Sequence, residues 1–288
     1  MLVLAGSPLQ IDEPMVLYHY TSAAALQGII SSRSLWVSDH RFLNDTTEFL
    51  YGWEIVWAAL RRREADIDRA SPLAWYILDS FHQSNERERA HAFVGSLTSQ
   101  GDLLSQWRGY NGGRGFSIGF NAQWLQENAD AQGFHLVPVL YDADAQRGAA
   151  DNLAESLVKV LSNQSREQTP HRNSEQAQSC WTEALKVALS FKNNHFAEEQ
   201  ETRLIWIGVS WPPRLKTRIG PAGLVPYTTF HFDKVINSKI SHPQNLGVEE
   251  IIVGPANRDH QVAAIDALLA SNCMRLQIRR SSIPYVAD

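Results

Sequence analysis

Two carboxylates, Glu199 and Glu201, stand two residues apart at the head of the apolar run ETRLIWIGV. On an extended strand they share one face while Leu204 and Trp206 point to the other. Such a pair suits electrostatic stabilisation of developing positive charge together with proton transfer; the competing reading is the solvated face of an edge strand. Far upstream, Tyr18-His19-Tyr20-Thr21 puts an imidazole and hydroxyls at the end of an aromatic segment. These groups can hydrogen-bond a hydroxyl-bearing ligand, although a lone strand histidine is more often a satisfied core residue. Ser96 and Thr98 alternate along another strand, and their hydroxyls either bond locally or meet a ligand. Trp107 and Tyr110 lie three apart on a short helix, so both can form one aromatic wall with Arg108 beside it for a phosphate. Asn44, Asp45 and Glu48 read as a turn and acidic helix start, with a substrate loop as the alternative.

The elements that must position these groups follow from hydrophobic periodicity. VLYHY at 16–20 reads as a strand, Ser22 as the cap of a helix through AAALQGII, and SLWVS at 34–38 as a second strand with Leu35 and Val37 on one face. Phe49, Leu50, Trp53, Val56, Trp57 and Leu60 recur at three- and four-residue spacing and predict a helix over 46–63. A second helix is predicted over 72–89 behind a cap at Ser71, giving a helical layer over about 46–90. Strands follow at AFVGSLTS, GRGFSIGF and FHLVPVLYD. A helical insertion over about 145–193 is interrupted by a polar loop at 163–174. The last third alternates strands at ETRLIWIGV, VPYTTFHF, VEEIIVGP and MRLQIRR with a helix over 259–271. Strands scattered among helices without a regular βαβ rhythm predict an α+β fold, read as one domain over 1–288.

Composition narrows the classes further. Hydrophobic content of 44% with 20% charged residues excludes disorder and coiled coil as the main architecture. A net charge of -5 argues against extensive coating of duplex nucleic acid, leaving room only for a local basic rim such as RLKTR at Arg214–Arg218. Cys180 and Cys273 have no partner spacing and read as small core residues. No signal peptide or membrane-length apolar run is read, so the expected location is the cytoplasm. No metal site is expected, because His19, Asp39 and His40 lack ligand spacing. The glycine-rich Asn111–Gly115 precedes a strand instead of a helix, so it reads as a tight turn and not a phosphate loop.

Taken in order, the Tyr18–Thr21, Asn44–Glu48, Ser96–Thr98 and Glu199–Glu201 clusters resemble a bacterial family, domain of unknown function 2971. QWRGY at 106–110, GFSIGF at 115–120, IIVGP at 251–255 and RRSSIPY at 279–285 join them in that resemblance, which runs from about Leu17 to Pro284. That family is similar to the ADP-ribosyltransferases of toxin or antiviral-effector type. The resemblance implies a split-sheet core with a helical insertion, and NAD as substrate without a metal. It also implies transfer of ADP-ribose to a nucleic acid or protein acceptor, and an inhibitor or antitoxin partner. It makes Glu201 the carboxylate that stabilises an oxocarbenium-like ribose and Glu199 the group that orients or deprotonates the acceptor. His19 and Thr21 become ribose contacts, and Tyr20, Ser96, Thr98, Trp107 and Tyr110 surround the cofactor. The sequence mixes a strand histidine with a Glu-x-Glu pair, features usually found in separate classes, so it speaks more for NAD than for any acceptor. Water as acceptor, giving an NAD glycohydrolase, and a catalytically silent binding module stay open.

Overall fold

A computed structural model describes residues 15–43, 47–63, 65–66, 91–109, 111–162, 175–208, 210–220, 223–237, 239 and 241–285. Strand β1 (Val16–Thr21) leads directly into α1 (Ala23–Ser32), whose first turn is capped by the Ser22 hydroxyl accepting from the Ala25 amide at 3.2 Å. Arg33, at φ 53, ends that helix in the left-handed region. In β2 (Ser34–Asp39), Leu35 and Val37 are buried and Trp36 faces outward. In α2 (Glu48–Arg62) the spacing buries Phe49, Trp53, Val56 and Leu60 as expected, whereas Leu50 is exposed and Trp57 half-buried. Gly52 lies on the buried face, where a methyl group would collide with the Ala188 carbonyl oxygen, so only glycine allows this close approach. Asn44, Asp45, Tyr110 and the expected 72–89 helix lie outside the described residues.

The chain continues through β3 (His91–Thr98), α3 (Leu104–Gly109), β4 (Phe116–Asn121), α4 (Ala122–Asp130), β5 (His135–Pro138), α5 (Ala143–Ser162) and α6 (Glu175–Leu189). It ends with β6 (Glu201–Gly208), β7 (Lys216–Gly220), β8 (Gly223–His231), β9 (Val248–Val253), α7 (Gln261–Ser271) and β10 (Gln277–Arg280). Between α3 and β4 the glycine-rich segment makes a tight turn, with Gly112 at φ 54 and Gly113 at φ 79. The fold is α+β with one mixed sheet in the order β10-β9-β4-β1-β3-β2-β8-β7, onto which β6 pairs with β3 and β5 with β6.

Strand β3 is the branch point. Its whole length pairs with β6 along one edge, from His91↔Gly208 to Thr98↔Glu201. The other edge is shared: β2 holds the Phe93–Val94 end, and β1 meets only Thr98, through Tyr18. The sheet therefore forks between β1 and β2, beside Gly95–Leu97.

Two apolar layers hold the fork. On one face Trp53, Val56 and Leu60 of α2 close with Leu153 and Leu157 of α5 and Leu185 and Leu189 of α6 over Val94, Val137 and Ile205. On the other, Ile30 of α1, Trp124 and Leu125 of α4 and Leu269 of α7 pack on Leu17, Phe93, Leu97, Phe120 and Ile251. Each such fully buried side chain contributes roughly 1.5–3 kcal/mol. The segments expected as a separate helical insertion thus share one layer with α2.

Two expectations are corrected. Glu199 is not on the strand: it closes the 3-10 turn Asn194–Glu199, and Gln200, at φ 42 and ψ 50, breaks the alternation before β6 begins. Cys180 is buried, but Cys273 is exposed, because it follows α7 in a left-handed turn at φ 57 on the surface.

Candidate active site beside the sheet fork

Glu201 opens β6 opposite Thr98, which in turn pairs with Tyr18 of β1, so the three side chains share one face across three strands. Glu201 is only 6% exposed. Arg203, in phase with it two residues on, grips both of its oxygens, Nε to Oε1 and Nη2 to Oε2, each at 3.0 Å. The same guanidinium donates to the Leu189 carbonyl at 2.7 Å and to Glu48 Oε2 at 2.5 Å. Lys192 completes the cluster, its Nζ lying 2.7 Å from Glu199, 2.9 Å from Glu48 and 3.2 Å from Glu201. Three carboxylates thus face two cations in a largely buried space. Glu48 sits in the first turn of α2, where the helix dipole also favours its charge.

Burial raises the Glu201 pKa, but the Arg203 charge and hydrogen bonds, then the Lys192 charge and a Ser96 hydrogen bond, outweigh it and hold the carboxyl at about 2. Burial alone would discharge Lys192; the Glu201 charge and the bonds to Glu199 and Glu48 instead raise its pKa. Tyr141 supports the strand start by accepting the Glu201 amide at 2.8 Å, and burial pushes its phenol up to about 12. The Lys192 backbone is fixed from the helical layer: Gln146 donates to the carbonyls of Leu140 and Lys192 at 2.6 and 2.8 Å and accepts from Tyr51 at 2.8 Å.

Across the fork, His19 Nδ1 lies 3.0 Å from the Ser96 carbonyl oxygen. A carbonyl only accepts, so Nδ1 carries the proton; burial lowers the ring pKa below 6.5 against that bond, which leaves a neutral imidazole with Nε2 as acceptor. Ser96 thus lies between His19 and Glu201, with its carbonyl on His19 and its position on β3 opposite Arg203 of β6. Thr98 acts locally, donating to the Glu199 carbonyl at 2.6 Å and accepting the Gln100 amide at 3.0 Å, which pins the Glu199 turn against β3.

The aromatic residues lie elsewhere. Trp107 is fully buried, its indole donates to Asp102 at 2.7 Å, and it packs edge-on against Tyr20 with centroids 4.7 Å apart. Tyr20 donates to the Gln100 carbonyl and accepts the Leu103 amide, both within 2.9 Å. By alternation Tyr20 shares the Tyr18 and Glu201 face of the sheet, whereas His19 and Thr21 point to the other; what keeps Tyr20 apart from the cluster is its engagement with Gln100, Leu103 and Trp107, and Thr21 is itself buried. Arg108 stands 5.6 Å from the Tyr285 ring, next to the C-terminal segment. Among the described residues no group of three or more His, Cys, Asp or Glu side chains is arranged to hold a metal ion, and no helix is long and apolar enough to cross a membrane.

Residues 106–204 match the family model described as "Protein of unknown function (DUF2971)". That stretch is similar to the family, and it contains Lys192, Glu199, Glu201 and Arg203, while His19, Glu48 and Ser96 lie outside it. No curated protein and no solved structure matches the chain.

Arg203, Lys192 and Tyr141 are the members of the cluster that sequence reasoning did not single out. Arg203 had a signal, since a residue two places from Glu201 on a strand must share its face. Lys192 and Tyr141 had none, because only the return of the chain from α6 and the pairing of β5 with β6 bring them to Glu201.

Proposed function

We propose that the protein is an NAD-dependent ADP-ribosyltransferase that breaks the nicotinamide–ribose bond and transfers ADP-ribose to a macromolecular acceptor, nucleic acid ahead of protein. The observation that carries this reading is Glu201, a buried carboxylate kept ionised at about 2 at a fork in the sheet, with a neutral His19 bonded to the Ser96 carbonyl of the strand between. The fork supports an ADP-ribosyltransferase-like split core. A fixed negative charge is what a ribose carbon needs as the bond to nicotinamide lengthens and positive charge grows on it. The Nε2 acceptor of His19 fits a ribose hydroxyl donor. Nicotinamide departs with the bonding electron pair, the acceptor atom bonds the ribose carbon, and the acceptor's proton passes to Glu199, the most exposed of the three carboxylates at 29%. Trp107 and Tyr20 do not fit a cofactor wall in this arrangement, since both are buried and their polar atoms are engaged.

One observation favours a second reading. Both Glu201 oxygens are occupied by Arg203 and Lys192, as in a purely structural ion cluster of a silent binding module. Nicotinamide release from NAD by the purified protein separates the two. The transferase reading expects release that falls at least ~100-fold in Glu201→Gln, the scale of losing one preorganised charge contact. Equal turnover by parent and variant refutes the mechanism, and no release by the parent leaves the silent module. Radiolabelled NAD in a cell lysate, followed by nuclease or protease digestion, then reports the acceptor, with water alone indicating a glycohydrolase.

A further inference from the structure

We infer that the outer face of β2, β8 and β7, centred on Trp36, docks an unpaired segment of single-stranded nucleic acid and presents it to the Glu201 side of the fork. The inference rests on the transferase reading for its purpose but on separate residues for its evidence. Trp36 is 51% exposed, and one side of its ring rests on the buried Tyr227, with centroids 4.6 Å apart and planes inclined by 33°. Its other side is a supported, rigid platform, which is what base stacking requires.

The register locates this platform. β2 and β3 pair at Ser38↔Val94, and extending that register by two residues sets Trp36 opposite Ser96, where the ladder stops and the fork opens. The strands are still in contact between these points, since a methyl group on Gly95 would meet Val37 at 3.6 Å. By alternation Trp36 and Ser96 share a face, and the β3–β6 pairing puts Glu201 and Arg203 on it too. The same face continues outward through Tyr227↔Lys216 and Val225↔Arg218.

Charge favours an anionic chain there. Lys216 is exposed, and the half-buried Arg218 donates from Nη2 to the Ser38 hydroxyl at 3.2 Å, its Nε being buried without a hydrogen-bond partner. At the end of β8, burial first and then the charges of Lys234, Arg214 and Lys216 lower the His231 pKa against the opposing carboxylate of Asp233, which also pairs with Lys234 at 3.6 Å. A supported indole beside several cations is the combination that binds single strands without reading their sequence. The overall charge of -5 limits the contact to a short segment.

The test is fluorescence anisotropy of a labelled single-stranded RNA of about ten nucleotides, and of its duplex, without NAD. The single strand binds more tightly than the duplex, Trp36→Ala weakens it about ten-fold, and Trp36→Phe restores most of the loss. Lys216→Ala and Arg218→Ala each lower the slope of log K against log salt by about 0.7. Should Trp36→Ala lose its thermal transition, exposed Lys216→Glu carries the same expectation of weaker binding. Unchanged affinity in the folded Trp36→Ala or Lys216→Glu variant, or no binding by the parent at low salt, overturns the inference. Nicotinamide release by the parent is read separately. Binding without release refutes the transferase reading and leaves this surface standing, whereas release without binding refutes this surface alone and directs the search to a protein acceptor.

Discussion

Glu201→Gln preserves side-chain volume and removes a single buried charge, so its effect on stability can be worked from the site. The carboxyl titrates at about 2 in the folded chain against 4.5 for a free group. A depressed carboxyl pKa stabilises the fold fully above the unfolded value, and the contribution is lost as pH falls through the folded one. The difference corresponds to roughly 3 kcal/mol at pH 7. That matches the scale for breaking a buried ion pair, about 3–5 kcal/mol, since Arg203 and Lys192 stay charged behind the amide. About 1 kcal/mol of the linkage contribution is left at pH 3. Urea unfolding of parent and variant at pH 7 and pH 3 measures this, because carboxylates common to both proteins cancel to first order. The expected result is a stability gap that narrows by about 2 kcal/mol on acidification. A gap of equal size at both pH values means that Glu201 is not held ionised by its partners, and the account of the site fails with it.

Saturating NAD raises the melting temperature by mass action, and His19→Ala reduces that rise through the loss of its Nε2 acceptor; unchanged melts for the parent with excess NAD refute the binding site. Glu199→Gln lowers transfer to acceptor more than nicotinamide release if, as proposed, its carboxylate takes the acceptor's proton; parallel losses in paired assays contradict that role. Lys192→Met removes the cation shared by Glu48, Glu199 and Glu201, so the Glu201 pKa rises and the acid limb of the activity profile moves to higher pH. An unshifted profile in a folded Lys192→Met variant shows that Arg203 alone sets the charge.

The sequence by itself determined what depends on near neighbours along the chain. The Ser22 cap, the apolar stripe of α2, the alternation of β2 and the tight turn at Gly112–Gly113 are encoded within four residues of each position, so each was legible. The shared face of Glu201 and Arg203 was encoded in the same way, although the sequence reading did not single out Arg203. Where each charged or aromatic group ends up was decided by contacts from far along the chain. Tertiary structure joined β3 to β6, so that Ser96 faces Arg203, and folded α2 against α6, so that Glu48 meets Lys192. It broke the strand at Gln200, so that Glu199 reaches the cluster from a turn instead of from β6. It also buried Trp107, which local spacing had offered as a wall, and exposed Trp36 at the fork. Burial depends on what packs over a residue, and ion pairing on which segments cross; neither is written in local periodicity.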